Sequence, residues 1–202
     1  MIKVGLTGTR FSGKDNAATY FKKIGIPVFD ADIVIKFILS YNWEIVEEIK
    51  NKLGGDIFDS SGRLDYNKLV SSGNFSSVLS LIEDDLFFAY DRFNEKNNKL
   101  IYSIFNCSVL FEEEWNNKMD YTISVYAPFI ERVERAKKYI GSNITKITST
   151  ISKEMSELEK NKLSNYVIHS YGENNVFSQI HKIDQELINN YLFNRTYAED
   201  VF

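Results

Sequence analysis

The chain has 202 residues, 44% of them hydrophobic and 26% charged, and a formal net charge of −4. It can bury a substantial core, and it lacks the basic surplus with which proteins track an extended DNA or RNA. The single cysteine, Cys107, excludes an intrachain disulfide and fits a reducing cytoplasm, while His169 and His181 stand too far apart in sequence for a usual zinc site.

No apolar run reaches the roughly 18 residues a membrane span requires. The opening MIKVGLTG has no signal-peptide pattern and enters a strand directly. Ile2 to Thr7 is a short apolar run ending at Gly8, the pattern of a strand buried on both faces. A glycine-containing loop follows, and from Lys14 the period turns helical, with Ala17, Ala18, Tyr20 and Phe21 on one side and Gly25 as the stop. Ile26 to Phe29 reads as a second strand, which completes a right-handed βαβ unit.

Helices are expected over Ala31 to Leu39 and Trp43 to Leu53, then a loop over Gly54 to Leu64. Asp65 is placed to cap a following helix, and Phe75 to Asn94 has helical spacing. Leu100 to Phe105 and Tyr121 to Ala127 are the third and fourth strands. Pro128 suits a first helical turn, ahead of an amphipathic helix over Phe129 to Ile140. Ile144 to Leu163 reads as one helix or two, Tyr166 to Ile168 as a last strand, and Ser178 to Tyr191 as a closing helix. Strands alternating with helices imply a parallel sheet of about five strands covered on both faces, with chemistry in the loops at the strands' carboxyl ends.

The first such loop, GTRFSGKD, matches the phosphate-binding pattern G-x-x-x-x-G-K. Glycines let successive N–H groups turn toward phosphate oxygens, and the helix that follows presents its positive end. Gly8, Thr9, Arg10, Phe11, Ser12, Gly13, Lys14, Asp15 and Asn16 are therefore the expected ATP-binding residues, with Lys14 reaching the β- and γ-phosphates. The bland alternative is a plain strand-to-helix turn that happens to carry Gly and Lys. Asp15 stands where a Ser or Thr usually ligates Mg²⁺, and a carboxylate can hold that ion directly or through water.

Five segments in order carry a wider resemblance: VGLTGTRFSGKD, GIPVFDADIV, IFDSSGRLDYNKL, VLFEE and EMSELEKNKLSNYVIHSYG. Together they resemble the dephospho-coenzyme A kinase family over most of the chain. The resemblance implies one P-loop kinase domain over residues 1–202, with a helical acceptor-binding region near 40–96 and a lid near 128–163. It implies ATP, Mg²⁺ and a small nucleotide-like acceptor whose 3′-hydroxyl is phosphorylated. Asp30 becomes the implied general base, and Asp32 an implied aid to Mg²⁺ or to the acceptor. The alternative for both aspartates is simple capping of the next helix.

Arg132, Arg135, Lys137 and Lys138 form a basic cluster in which Arg132 and Arg135 share a face. They read either as catalytic cations over the γ-phosphate or as a solvated helix end with cations at its negative pole. The sequence departs from the family pattern at Asp15, at Glu83 and Asp84, at Asn106 and Ser108, and at Thr150 and Glu154. These departures keep two rival readings open: a deoxynucleoside monophosphate kinase of phage type, and a nucleotide-binding pseudokinase.

Overall fold

The computed structural model describes residues 1–140 and 154–200. The chain divides into two compact units, residues 1–29 with 97–202, and residues 30–96.

In the first unit, strand β1 (Ile2–Thr7) is followed by helix α1 (Lys14–Lys23) and strand β2 (Val28–Asp30). Strands β3 (Tyr102–Asn106), β4 (Tyr121–Tyr126) and β5 (Tyr166–His169) complete a five-stranded sheet in the order β2-β3-β1-β4-β5. β1 pairs in parallel with both β3 and β4, and β4 with β5. The central position of β1 explains its composition. A strand with neighbours on both edges and helices on both faces must be apolar throughout, and Val4 to Thr7 are all buried.

The core of this unit joins Val4 and Leu6 of β1, Ala17, Ala18 and Phe21 of α1, Ile104, Ile123, Val125 and Ile168 of the other strands, and Ile180, Ile183 and Leu187 of the last helix. That helix, α8 (Val176–Asp200), is also tied to β3 by a hydrogen bond from the Tyr102 hydroxyl to Asp184 Oδ1 at 2.7 Å. Helix α6 (Phe129–Ile140) follows β4, and helix α7 (Glu157–Leu163) precedes β5.

The second unit is helical: α2 (Ala31–Tyr41), α3 (Trp43–Leu53), α4 (Tyr66–Ser71) and α5 (Phe75–Lys96). Ile35, Leu39, Ile45, Ile49, Leu69, Val78, Leu79, Ile82, Leu86 and Tyr90 are its buried residues at helical spacing. The loop before α4 closes with an antiparallel bridge between Phe58 and Leu64. Asp65 caps α4 as expected, its carboxylate accepting the Lys68 N–H at 3.2 Å.

The parallel sheet flanked by helices agrees with the sequence reading, and the differences lie at element ends. β2 begins at Val28 rather than Ile26. Pro27 has no N–H to give to a ladder, and it contributes only its carbonyl, to the Ile104 N–H at 2.9 Å. β3 begins at Tyr102 because Leu100 still closes a turn onto Asn97. The last helix starts at Val176, where the Asn175 side chain accepts the Ser178 N–H at 3.0 Å. A 3₁₀ turn over Trp115–Lys118, with Trp115 buried, was not expected from the sequence, since four residues carry no readable period.

Candidate active site

The site grows from the end of β1. Gly8 follows that strand directly, and a Cβ there would lie 2.6 Å from Ser12 Oγ and 2.9 Å from the Val125 carbonyl oxygen. No side chain fits such an approach. The loop then curls on itself, with the Ser12 N–H donating to the Thr9 carbonyl at 3.1 Å. Phe11 has φ 64° and Gly13 φ 97°, so the curl places two residues in the left-handed region. Gly13 does so at low cost; it caps α1 without a side chain, leaving the first N–H groups of that helix for a ligand.

Arg135 braces the outside of this loop. Its Nη1 donates to the Phe11 carbonyl at 3.0 Å and the Ser12 carbonyl at 2.9 Å, and its Nη2 donates to the Ser170 carbonyl. The Ser170 hydroxyl also donates to the Ser12 carbonyl, at 2.5 Å. Carbonyl and N–H of a trans peptide point in opposite directions, so fixing the Ser12 carbonyl on Arg135 aims the Gly13 N–H away from it. Arg132 lies beside this brace, almost fully buried. It pairs with Glu157 and reaches the Arg10 carbonyl at 3.4 Å. Burial pulls the Arg132 pKa down, and the Glu157 carboxylate pushes it back up. Both arginines of the predicted cluster thus face the phosphate loop, whereas Lys138 is exposed and Lys137 pairs with Glu134 at 2.6 Å.

Lys14 is buried, and its Nζ donates to Asn106 Oδ1 at 2.9 Å and to Asp15 Oδ1 at 3.0 Å. The Asp15 side chain is 86% exposed. Thr9 Oγ1, Ser12 Oγ and Arg132 Nε are buried and find no hydrogen-bond partner among the described residues. Orphaned polar atoms are costly in a finished interior, and these three border the loop. That pattern fits a polyphosphate that supplies the missing partners. Asn16 and Gly13, with Tyr20, Arg135, Tyr171 and Asn175, line an adjoining cleft of about 490 Å³.

Among the described residues no group of three or more His, Cys, Asp or Glu could hold a metal alone. Mg²⁺ needs no such group, because it is usually held by one or two carboxylates together with phosphates and water. Asp15 fits that role.

Asp30 ends β2 and caps α2, accepting the Ile33 N–H at 3.2 Å. Asp32 lies in the first turn of α2 and is half-buried. The capping reading of Asp30 is therefore realised, and capping leaves a carboxylate capable of other work. Thr150 lies outside the described residues.

The sequence did not single out Lys160. It is 1% exposed, and its Nζ donates to the Ser108 carbonyl at 2.6 Å, to Glu112 Oε2 at 2.9 Å and to Thr7 Oγ1 at 3.4 Å. It ties α7 to the residue before the phosphate loop. Glu154 binds the loop from another side, accepting the Arg10 N–H at 2.7 Å and pairing with Arg10 Nε at 2.9 Å. Desolvation pushes the Glu154 carboxyl pKa up, while Arg10 opposes that shift. Both residues lie in segments that carried the resemblance, but a lysine in a charged stretch looks solvated until packing buries it.

Comparison with known proteins agrees with this fold. The dephospho-CoA kinase of Bacteroides fragilis is 28% identical over 184 residues, covering 89% of this chain and 89% of that protein. That of Aquifex aeolicus is 28% identical over 193 residues, covering 93% and 98%. A crystal structure from Thermus thermophilus superposes with a TM-score of 0.76 at 24% identity, over 92% of this chain and 96% of that one. The dephospho-CoA kinase structure from Campylobacter jejuni gives 0.58 at 15% identity, over 92% and 96%, and it speaks to the fold alone. The family model for dephospho-CoA kinase matches residues 2–175, and with that match the chain belongs to the dephospho-CoA kinase family.

Proposed function

We propose that this member of the family transfers the γ-phosphoryl group of ATP to the 3′-hydroxyl of dephospho-coenzyme A. The observation that carries the reading is the cradle of Gly8 to Asp15: Lys14 Nζ is held beside it, and the Thr9 and Ser12 hydroxyls are buried without partners. Phosphoryl transfer asks little covalent chemistry of a protein and much positioning and positive charge. Lys14 and the N-terminus of α1 supply that charge. Arg132 and Arg135 hold the loop from behind, and Arg132 Nε adds a donor at the loop's border.

In the transfer, the acceptor 3′-oxygen forms a bond to the γ-phosphorus as the bond from that phosphorus to the β,γ-bridging oxygen breaks. The hydroxyl proton passes to the Asp30 carboxylate, which ends β2, and ligands of parallel sheets gather at the carboxyl ends of strands. Mg²⁺, when bound, would neutralise charge on the phosphates, and Asp15 and Asp32 are the carboxylates that this reading assigns to it. Residues near 40–96 serve as the acceptor-binding region; the lid expected near 128–163 lies partly outside the described residues.

The test supplies ATP and Mg²⁺ with dephospho-coenzyme A and, separately, with each deoxynucleoside monophosphate, and follows ADP release. The expected result is rapid release with dephospho-coenzyme A and a product heavier by one phosphate. Release confined to a nucleoside monophosphate would replace the acceptor, and nucleotide binding without release on any acceptor would make the protein a pseudokinase.

A further inference from the structure

The end of β3 meets the phosphate loop at one residue. Asn106 lies opposite Leu6 in the parallel register and is 1% exposed. Its Oδ1 accepts from Lys14 Nζ at 2.9 Å, and its Nδ2 faces Asp15 Oδ1 at 3.5 Å. Lys14 Nζ also donates to that same Asp15 oxygen, at 3.0 Å. An ammonium, an amide and a carboxylate therefore form a closed triangle at the mouth of the cradle.

Proteins of this loop type usually hold their phosphate-bound Mg²⁺ with a hydroxyl on the loop and a carboxylate supplied by a strand. Here the loop position carries the carboxylate, and the end of the neighbouring strand carries a neutral amide. The two side chains touch, so the loop carboxylate lies one contact away from the strand position. A carboxylate at both positions would set two anions against one ammonium beside a polyphosphate, and like charges that close resist ionising together.

We propose that Asp15 and Asn106 are an exchanged pair: Asp15 is the anionic partner of the phosphate-bound divalent cation, and Asn106 is a positioning residue that holds Lys14 without adding charge. This rests on the loop being a nucleotide cradle, and the experiment separates the two claims. ADP binding is first measured by calorimetry in the presence of EDTA. Absence of binding to the unaltered protein would overturn the cradle and the exchange with it.

Mn²⁺ affinity for the protein–ADP complex is then measured by electron paramagnetic resonance for D15N, D15S, N106D and the double variant D15S/N106D. With ADP binding in EDTA retained, D15N and D15S should each weaken Mn²⁺ affinity by more than about tenfold. The double variant should recover to within about threefold of the unaltered protein, as moving the charge back across the contact requires. N106D alone should weaken ADP binding in EDTA. Unchanged Mn²⁺ affinity in D15N and D15S, or a double variant as weak as D15S, would overturn the exchange. If charge at the buried 106 position prevents folding, unchanged Mn²⁺ affinity in the two substitutions at the exposed Asp15 still overturns the proposal.

Discussion

Lys14 illustrates how one side chain is committed by its surroundings. It is buried, yet Asp15 and Asn106 accept from its ammonium, so the charge stays paired and aimed at the loop. Lys14→Ala should lower turnover by about 10²–10³-fold, the loss typical of one preorganised electrostatic donor. The melting temperature of the nucleotide-free protein should move by less than about 5 °C. Unchanged turnover would remove Lys14 from the chemistry. Asp30 invites a cleaner separation of roles, because asparagine caps a helix as well as aspartate does. Asp30→Asn should keep α2 intact by circular dichroism while turnover on dephospho-coenzyme A falls by about 10²–10⁴-fold, the range of general-base catalysis. A loss of a few-fold only would leave Asp30 as a cap.

Glu154 makes a pH prediction. Its pKa is raised in the folded chain, chiefly by burial, so the fold favours its protonated form. That contribution to stability is complete below the ordinary glutamate range and fades as pH rises through the raised value. Glu154→Gln cannot titrate, so its stability should fall less than that of the unaltered protein between about pH 4 and about pH 7. Urea midpoints at the two pH values check this, and parallel changes would show that the burial of Glu154 carries no such cost.

Among the elements, α7 is short and depends on its ends. Ser156 and Glu159 form a reciprocal capping box, and Lys160 anchors the first turns to Ser108 and Glu112. A seven-residue helix cannot stand on propensity alone. Ser156→Ala should therefore cost about 1 kcal/mol, which in a chain of this size lowers the melting temperature by about 2–4 °C. A thermal melt checks it, and no change would mean that Lys160 alone secures the helix. α1 works differently. Its start is set by a glycine in the left-handed region with no side-chain cap, so its exposed N–H groups await a ligand rather than a serine. α6, read from the sequence as amphipathic, turns its two arginines onto carbonyls of the loop, so its inward stripe is partly cationic.

For the molecule as a whole, ligand binding and folding are linked. ATP with Mg²⁺ at about a hundred times its dissociation constant should add about 2.7 kcal/mol of stability. That corresponds to a rise of roughly 5–11 °C in melting temperature. Lys14→Ala should abolish most of the rise, and a fluorescence melt with and without nucleotide reads both. A flat response in the unaltered protein would mean that the cradle does not bind nucleotide.

The apolar run of β1, the glycine spacing of its loop and the helical period from Lys14 are local patterns, so the sequence by itself determined the βαβ start and the phosphate loop. These follow from backbone sterics and hydrophobic period, which act over a few residues. Tertiary structure decided what stands around that loop. Asn106 meets Lys14 across 92 residues only because β3 pairs with β1 in that register. Lys160 is buried only because α7 packs where Thr7, Ser108 and Glu112 converge on it. A charged residue's partner depends on contacts distant in sequence, and no local period encodes them.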